Sequence, residues 1–324
     1  MRRLLPAALA AAVALFPGAA FAQAGYPAKP IRIINGFAPG GTFDYLARML
    51  GQRISDANPG WKFVVESKTG ADGRIGSQEC AKAAPDGYTF CIGGASTHAI
   101  HAAIFRTLPY DVTKDFLPVA LVGPSANVIA VNPELPVKSI RELVALAKAQ
   151  PGKLSFASAG TGTSTHLAGE MFKDVAGIDL LHVPFKGGAP AITAVVGNQV
   201  PILSDNVSTV APHVQAGRLR AIAVTSIRRQ PNLPDVPTLD ESGLRGFDVG
   251  LWYAFFAPVG IPREAAQRFH AEINRQLGQA EVRELLEKRG IEARPLGMDE
   301  FAAFQRAEIA RYAAIAAKAK ITVE

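Results

Sequence analysis

The sequence predicts an α/β protein folded as two lobes with a ligand cleft between them. Three observations predict it. Short β-rich runs alternate with helical patterns along most of the chain, which implies parallel sheets joined by crossover helices. The chain has 324 residues, enough for two domains. Two Gly/Pro-bearing crossings, Val122-Gly123-Pro124-Ser125 and 246–250, suit a two-strand hinge, because a chain that leaves a lobe and later returns makes two links. The first lobe is therefore expected at 23–124 plus 250–324, and the second at 125–249.

The alternation can be followed element by element. Strands are expected at 31–37, 62–66 and 88–93, with helices at 45–54 and 75–83 between them. The pattern resumes with short strands at 128–131, 155–157, 181–183, 202–203 and 221–224. Ser139 opens a helix and Glu142 completes a capping box three residues on. Ala265, Phe269, Ile273 and Leu277 recur every four residues, the mark of an amphipathic surface helix. A second, alanine-rich helix is expected at 299–318.

The amino terminus has the layout of a secretory signal peptide. Arg2 and Arg3 precede an apolar run over 4–16, which Pro17-Gly18 breaks, and Ala20-Phe21-Ala22 offers a small-x-small cleavage site. The run is shorter than the roughly 20 residues of a membrane-spanning helix. The expectation is cleavage after Ala22 and export. The alternative, a retained anchor, finds no stop-transfer pattern to support it.

Without Arg2 and Arg3 the chain keeps 32 basic and 28 acidic residues, a balance of +4 with no basic run. Nucleic-acid binding, which needs clustered Lys and Arg, is not indicated; the mild positive bias favours anion capture. An exported chain with two cysteines, Cys80 and Cys91, points to a disulfide between them, with two buried free thiols as the alternative. No C-x-x-C motif or zinc cluster is present.

Two loops carry the candidate chemistry. Phe37-Ala38-Pro39-Gly40-Gly41-Thr42-Phe43-Asp44 follows a strand and opens a helix, with Thr42 as the expected N-cap. Its glycines admit a close ligand, and the free first-turn N–H groups with the positive helix end hold an anion without a lysine. Ser158-Ala159-Gly160-Thr161-Gly162-Thr163-Ser164-Thr165-His166 occupies the same kind of strand-to-helix join in the second lobe and carries five hydroxyls. A carboxylate clamped between these loops is the expected ligand, since open α/β sheets bind beyond the carboxyl ends of strands. Ser96 and Thr97 follow the strand ending near Gly93 and belong to the same cleft.

Other residues stay open at this point. Lys186, before Gly187-Gly188, either steers an anion or is a solvated surface lysine. Asp205-Asn206 either bonds the ligand or caps a helix at Ser208. His166 is either a packed, capping histidine or a ligand contact, and Phe43 faces either the ligand or the core. No cofactor, metal or catalytic set is expected. The G-x-G at Gly160 and Gly162 lacks the rest of a dinucleotide fingerprint, and no G-x-S-x-G or H-E-x-x-H occurs.

A series of motifs then identifies a resemblance. Tyr26-Pro27-x-Lys29-Pro30-Ile31, Phe37-Ala38-Pro39-Gly40-Gly41, Ala84-Pro85-Asp86-Gly87-Tyr88-Thr89 and Leu108-Pro109-Tyr110-Asp111 come first. Pro151-Gly152-Lys153-Leu154, Gly162-Thr163-x-x-His166-Leu167-Ala168-Gly169-Glu170, His182-Val183-Pro184-Phe185-Lys186-Gly187 and Leu233-Pro234-Asp235-Val236-Pro237-Thr238 follow. In this order they resemble the Bug-type substrate-binding proteins of tripartite tricarboxylate transporters, over nearly the whole mature chain. The resemblance implies a type II periplasmic-binding-protein fold and a periplasmic, monomeric, non-enzymatic protein that passes a small carboxylate to integral-membrane transporter subunits. The alternative is a ligand-sensing protein that docks on a membrane sensor kinase. Family positions carry over to Gly40, Gly41, Thr42, Phe43, Asp44, Ser158, Thr161, Gly162, Thr163 and His166, and Asp205 matches the family's acidic cleft residue. Phe43 and His101 depart from the pattern, in which a small or hydroxyl residue and an asparagine are common.

Overall fold

In the first lobe Ile31–Asn35 (β1) lies between Phe63–Ser67 (β2) and Thr89–Gly94 (β3), parallel to both. The computed structural model describes residues 25–318 and 321–323. The expected signal peptide and the cleavage site after Ala22 lie outside the described residues. The connections are Thr42–Ala57 (α1) and Arg74–Ala81 (α2), amphipathic helices that lay their apolar sides on the sheet. Leu46, Leu50 and Ile54 of α1 have no solvent exposure.

After β3 the chain makes a π-helical turn over Ser96–Ile100 and the short helix His101–Ile104 (α3), then enters a 16-residue strand, Phe116–Val131 (β4). The second lobe continues with Ile140–Ala149 (α4), Ser155–Ser158 (β5), Ser164–Ala176 (α5), Leu181–Pro184 (β6), Gly188–Val196 (α6), Ile202–Asn206 (β7), Val207–Gln215 (α7) and Arg220–Val224 (β8). The chain then returns through Gly250–Pro258 (β9) to Arg263–Gly278 (α8), Ala280–Glu287 (α9) and Met298–Lys318 (α10).

The strand order is β2-β1-β3-β9-β4-β7-β5-β6, with β8 also on β4. β4 joins the two lobes. Its first part, Phe116 to Ala126, pairs with β9, and its last five residues pair with β7 and β8. The expectation of parallel sheets therefore needs correction. The β1–β2–β3 and β6–β5–β7 triplets are parallel, but β4 and β9 run antiparallel to every strand they pair with. The reason is topological, since strands that carry the chain out of a lobe and back run in opposite directions. The Val122–Ser125 crossing is one of the two linking strands expected, lying inside β4. Gly123 permits it, because a β-carbon there would collide with the Glu292 carbonyl of a segment bonded along β4 through Glu292 N to Pro124 O (3.0 Å) and Arg294 N to Val122 O (3.0 Å).

Local signals hold elsewhere. Ser139 Oγ accepts the Glu142 N–H at 3.2 Å, as the capping motif requires. Ala265, Phe269, Ile273 and Leu277 are buried along α8. Cys80, on α2, and Cys91, on β3, form a disulfide with a Cα–Cα distance of 6.0 Å. Among the described residues no helix is long and apolar enough to cross a membrane.

Candidate functional site

Four helices aim their N-termini at one space between the lobes. Gly41 and Thr42 begin α1, Thr163 and Ser164 begin α5, Gly187 and Gly188 begin α6, and Asn206 precedes α7; all line the same cavity. Each N-terminus carries unpaired N–H groups and about half a positive charge from its helix dipole. Only α5 uses its own cap, with Thr163 Oγ1 accepting the His166 N–H at 3.3 Å. No side chain caps α1, α6 or α7, so their first-turn N–H groups have no capping side chain as a partner. Among the described residues no charged side chain lines this cavity. The arrangement suits an anion held by backbone and hydroxyl donors.

The expected N-cap is corrected: Gly41 holds that position and Thr42 is the first helical residue. With its hydroxyl free of capping, Thr42 reaches the other lobe, where Thr42 Oγ1 and Ser208 Oγ lie 2.6 Å apart. A second cross-lobe bond runs from Ser164 N–H to Ser96 Oγ at 3.0 Å. With the lobes held this close, the cavity between them measures about 30 Å³, space for about two waters. A solute larger than that does not fit the cavity in this arrangement.

Of the expected site residues, Gly41, Thr42, Phe43, Ser96 and Thr163 line the cavity. Phe43 is 8% exposed, stacked on Phe37 at 4.6 Å and edge-on to Tyr253 at 5.1 Å, so it borders the space while belonging to the core. The others stand behind this wall. Asp44 accepts the Gly40 N–H at 3.1 Å and pairs with Arg48, which fixes the turn into α1. Thr97 Oγ1 is taken by His98 Nδ1 at 2.8 Å. Ser158 Oγ meets His182 Nε2 at 2.7 Å and the backbone of Gly160, shaping the second loop from below. Thr161 lines a separate depression beside Asp72 and Lys186. Gly162 packs on Phe105, since any β-carbon there would strike that ring.

His166 Nδ1 accepts the Gly162 N–H at 3.2 Å, and its ring stacks on His182 at 4.2 Å. Burial pushes the His166 pKa down to about 4, with Lys173 adding to the effect. Burial, then the neighbouring His166, pushes His182 down to about 3. Both rings are therefore neutral at pH 7. Asp205 is fully buried, and burial lifts its carboxyl to about 7 against the opposing bonds from Asn206 N–H and Thr209. One oxygen accepts Asn206 N–H at 2.6 Å; the other lies beneath Gly188, whose missing side chain makes room for it. Asp205 thus underlies the start of α6 and α7 rather than lining the cavity. Asn206 is the N-cap position of α7, which starts at Val207, one residue before Ser208, and its side chain makes no cap bond.

Ser164, Thr165, Asn206, Thr209, Leu251 and Trp252 complete the wall. The hydroxyl run and Asn206 were visible in sequence. Leu251 and Trp252 gave no local signal, because β9 reaches the cavity through its long-range pairing between β3 and β4.

The sequence profile of the Tripartite tricarboxylate transporter family receptor matches residues 46–321. The chain belongs to this family. Protein BugT of Bordetella pertussis is 34% identical over 291 residues, covering 90% of this chain and 89% of its own. A solved R. palustris protein with adipate superposes with a TM-score of 0.89 at 32% identity, covering 92% of this chain and 99% of that one. MatC from Rhodopseudomonas palustris, with bound malate, gives 0.85 at 31% identity, covering 90% and 99%. This receptor family consists of periplasmic solute-binding proteins rather than enzymes, and the two-lobed fold fits that role.

Proposed function

We propose that this chain is a periplasmic receptor that captures a small carboxylate between its lobes and delivers it, as a monomer, to the membrane subunits of a tripartite tricarboxylate-type transporter. The observation that carries the reading is the convergence of four helix N-termini on one cavity lined, among the described residues, by no charged side chain. Relatives with adipate and malate support the same ligand class. The lobes proposed are 23–124 plus 250–324 and 125–249, moving about β4 and β9. The ligand-binding set proposed is the first-loop Gly40 to Asp44, Ser96 and Thr97, the second-loop Ser158 to His166, and Asp205, with those behind the wall acting through the loops they shape. Export with cleavage after Ala22 completes the proposal. Thermal-shift screening of the exported chain against di- and tricarboxylates, aromatic acids and acidic amino acids tests it, since a ligand of the native state raises the melting point by mass action. A carboxylate that shifts melting and is recovered unchanged is the expected result. Enzyme-like conversion of a pure acid would overturn the reading.

A further inference from the structure

We infer that the solute of this cleft is a carboxylic acid with a flat, apolar body, an aromatic monocarboxylate rather than a hydroxylated di- or tricarboxylate. The inference rests on the proposed carboxylate-receptor role and narrows it. One side of the cavity is an aromatic shelf. Phe37 and Phe43 stack with centroids 4.6 Å apart and planes 13° from parallel. Leu251, from β9, extends the apolar surface. A planar ring gains burial and a stacking face on such a shelf.

The polar side points the same way. Hydroxyls line the cavity in number, but three of those in the second lobe, on Thr163, Thr165 and Thr209, are committed within that lobe. Thr163 Oγ1 donates to Gly160 O at 2.7 Å and meets Thr165 Oγ1 at 2.8 Å, and Thr165 Oγ1 accepts the Ala159 N–H at 3.0 Å. Thr209 Oγ1 is held by Asn206 O at 2.9 Å and Asp205 at 3.2 Å. Parting the lobes releases Thr42 and Ser96 from their cross-lobe partners, together with the Ser164 N–H. Those groups and the uncapped helix ends are donors enough for one carboxylate. Asn206 Oδ1, buried without a partner, offers an acceptor on that wall, so a ligand body carrying several hydroxyl groups would leave some of them buried without partners, which weakens binding.

The test is titration calorimetry of the exported chain with benzoate, adipate, malate and citrate, on wild type and on Phe43→Leu and Phe43→Thr. Benzoate is expected to bind most tightly, adipate next, and malate and citrate roughly tenfold or more weaker than benzoate, the scale of one unpaired buried hydroxyl. Phe43→Thr should weaken benzoate about tenfold while moving malate less. Phe43→Leu keeps the apolar volume and should still weaken benzoate measurably, which preserves the test if the threonine variant fails to fold. Malate, citrate or adipate binding as tightly as benzoate would overturn this inference and leave the receptor role standing. Unchanged benzoate affinity in folded Phe43→Leu would overturn the shelf. No binding by any of the acids would overturn the receptor role, and the inference with it.

Discussion

Asp72 in the first lobe presses its carboxylate against Gly160 in the second, filling the space where a side chain at Gly160 would stand. Asp72 reaches there from a left-handed backbone conformation, φ 57° and ψ 35°, beside the backbone of the adjacent Thr161. Burial raises its carboxyl pKa, with Arg74 and the Thr161 bond opposing. The contact joins the lobes beside the ligand cavity without touching it.

Removing that contact should weaken closure. Asp72→Ala is expected to lower carboxylate affinity by about 1 kcal/mol, roughly fivefold, the value of one hydrogen bond. Gly160→Ala should cost more. Its φ of +134° disfavours any side chain, and the added methyl meets Asp72. Calorimetry with the preferred acid measures both, and unchanged affinity in both variants would remove Asp72 from the closing mechanism.

The Cys80–Cys91 bond closes a short loop, with a sequence separation of 11. Reducing it is expected to lower stability by about 3 kcal/mol on the chain-entropy model. Both sulfurs are buried away from the cavity, so ligand affinity of the folded protein should hold. Intact mass without reduction should be two hydrogens below the reduced chain; free-thiol labelling of both cysteines in unfolded, unreduced protein would contradict the bond.

Acid should destabilise the protein well before its carboxylates protonate. Burial first, with nearby positive groups adding, holds His98 and His101 at about 3 and His166 at about 4, against 6.5 when exposed. Between pH 6.5 and 4 the unfolded chain takes up protons these folded rings refuse. Their stabilisation is complete above pH 6.5 and is lost as pH falls towards their folded values, by up to about 1.4 kcal/mol per pH unit for each ring. Asp205 works in the opposite sense. Its raised pKa of about 7 lets the folded state keep a proton that the unfolded state loses, so it offsets about one histidine in this window. Denaturant midpoints at pH 7, 6, 5 and 4 should therefore fall, and His166→Gln should fall less steeply. A flat profile would contradict the neutral, buried assignment.

Closure should be visible in solution. Small-angle scattering is expected to show a smaller radius of gyration with the preferred acid than without it. Thr42→Val, which removes the hydroxyl facing Ser208 across the cleft at 2.6 Å, should reduce that compaction. A scattering curve indifferent to saturating ligand would mean that the cleft does not open.

Much of the site was legible because its pieces are local. A strand, two glycines and a hydroxyl-rich helix start are neighbours in sequence, and Gly41, Thr42 and Thr163 reach the cavity as that pattern implies. Asp205 was misjudged in placement because sequence shows an acid after a strand but not that Gly188 lies over it. The length of β4 was hidden by Gly123 and Pro124, which normally punctuate strands. Here they mark bulged positions, where the register against β9 shifts between Leu121 and Gly123. Thr42 looked like a cap because its residue type fits one; only the nearness of Ser208 shows that its hydroxyl is used elsewhere.

β4 also carries a mechanical consequence. Its pairing passes without a break from β9 to β7 and β8, so one ribbon of strands belongs to both halves of the molecule. Sliding one half past the other would rupture ladder bonds, whereas torsion of the ribbon leaves them intact. Rotation about that ribbon is the motion that keeps the ladder whole. In it α1 approaches three helix ends already fixed relative to one another by the second sheet. Filling the interior would then register as a change in the molecule's outer silhouette.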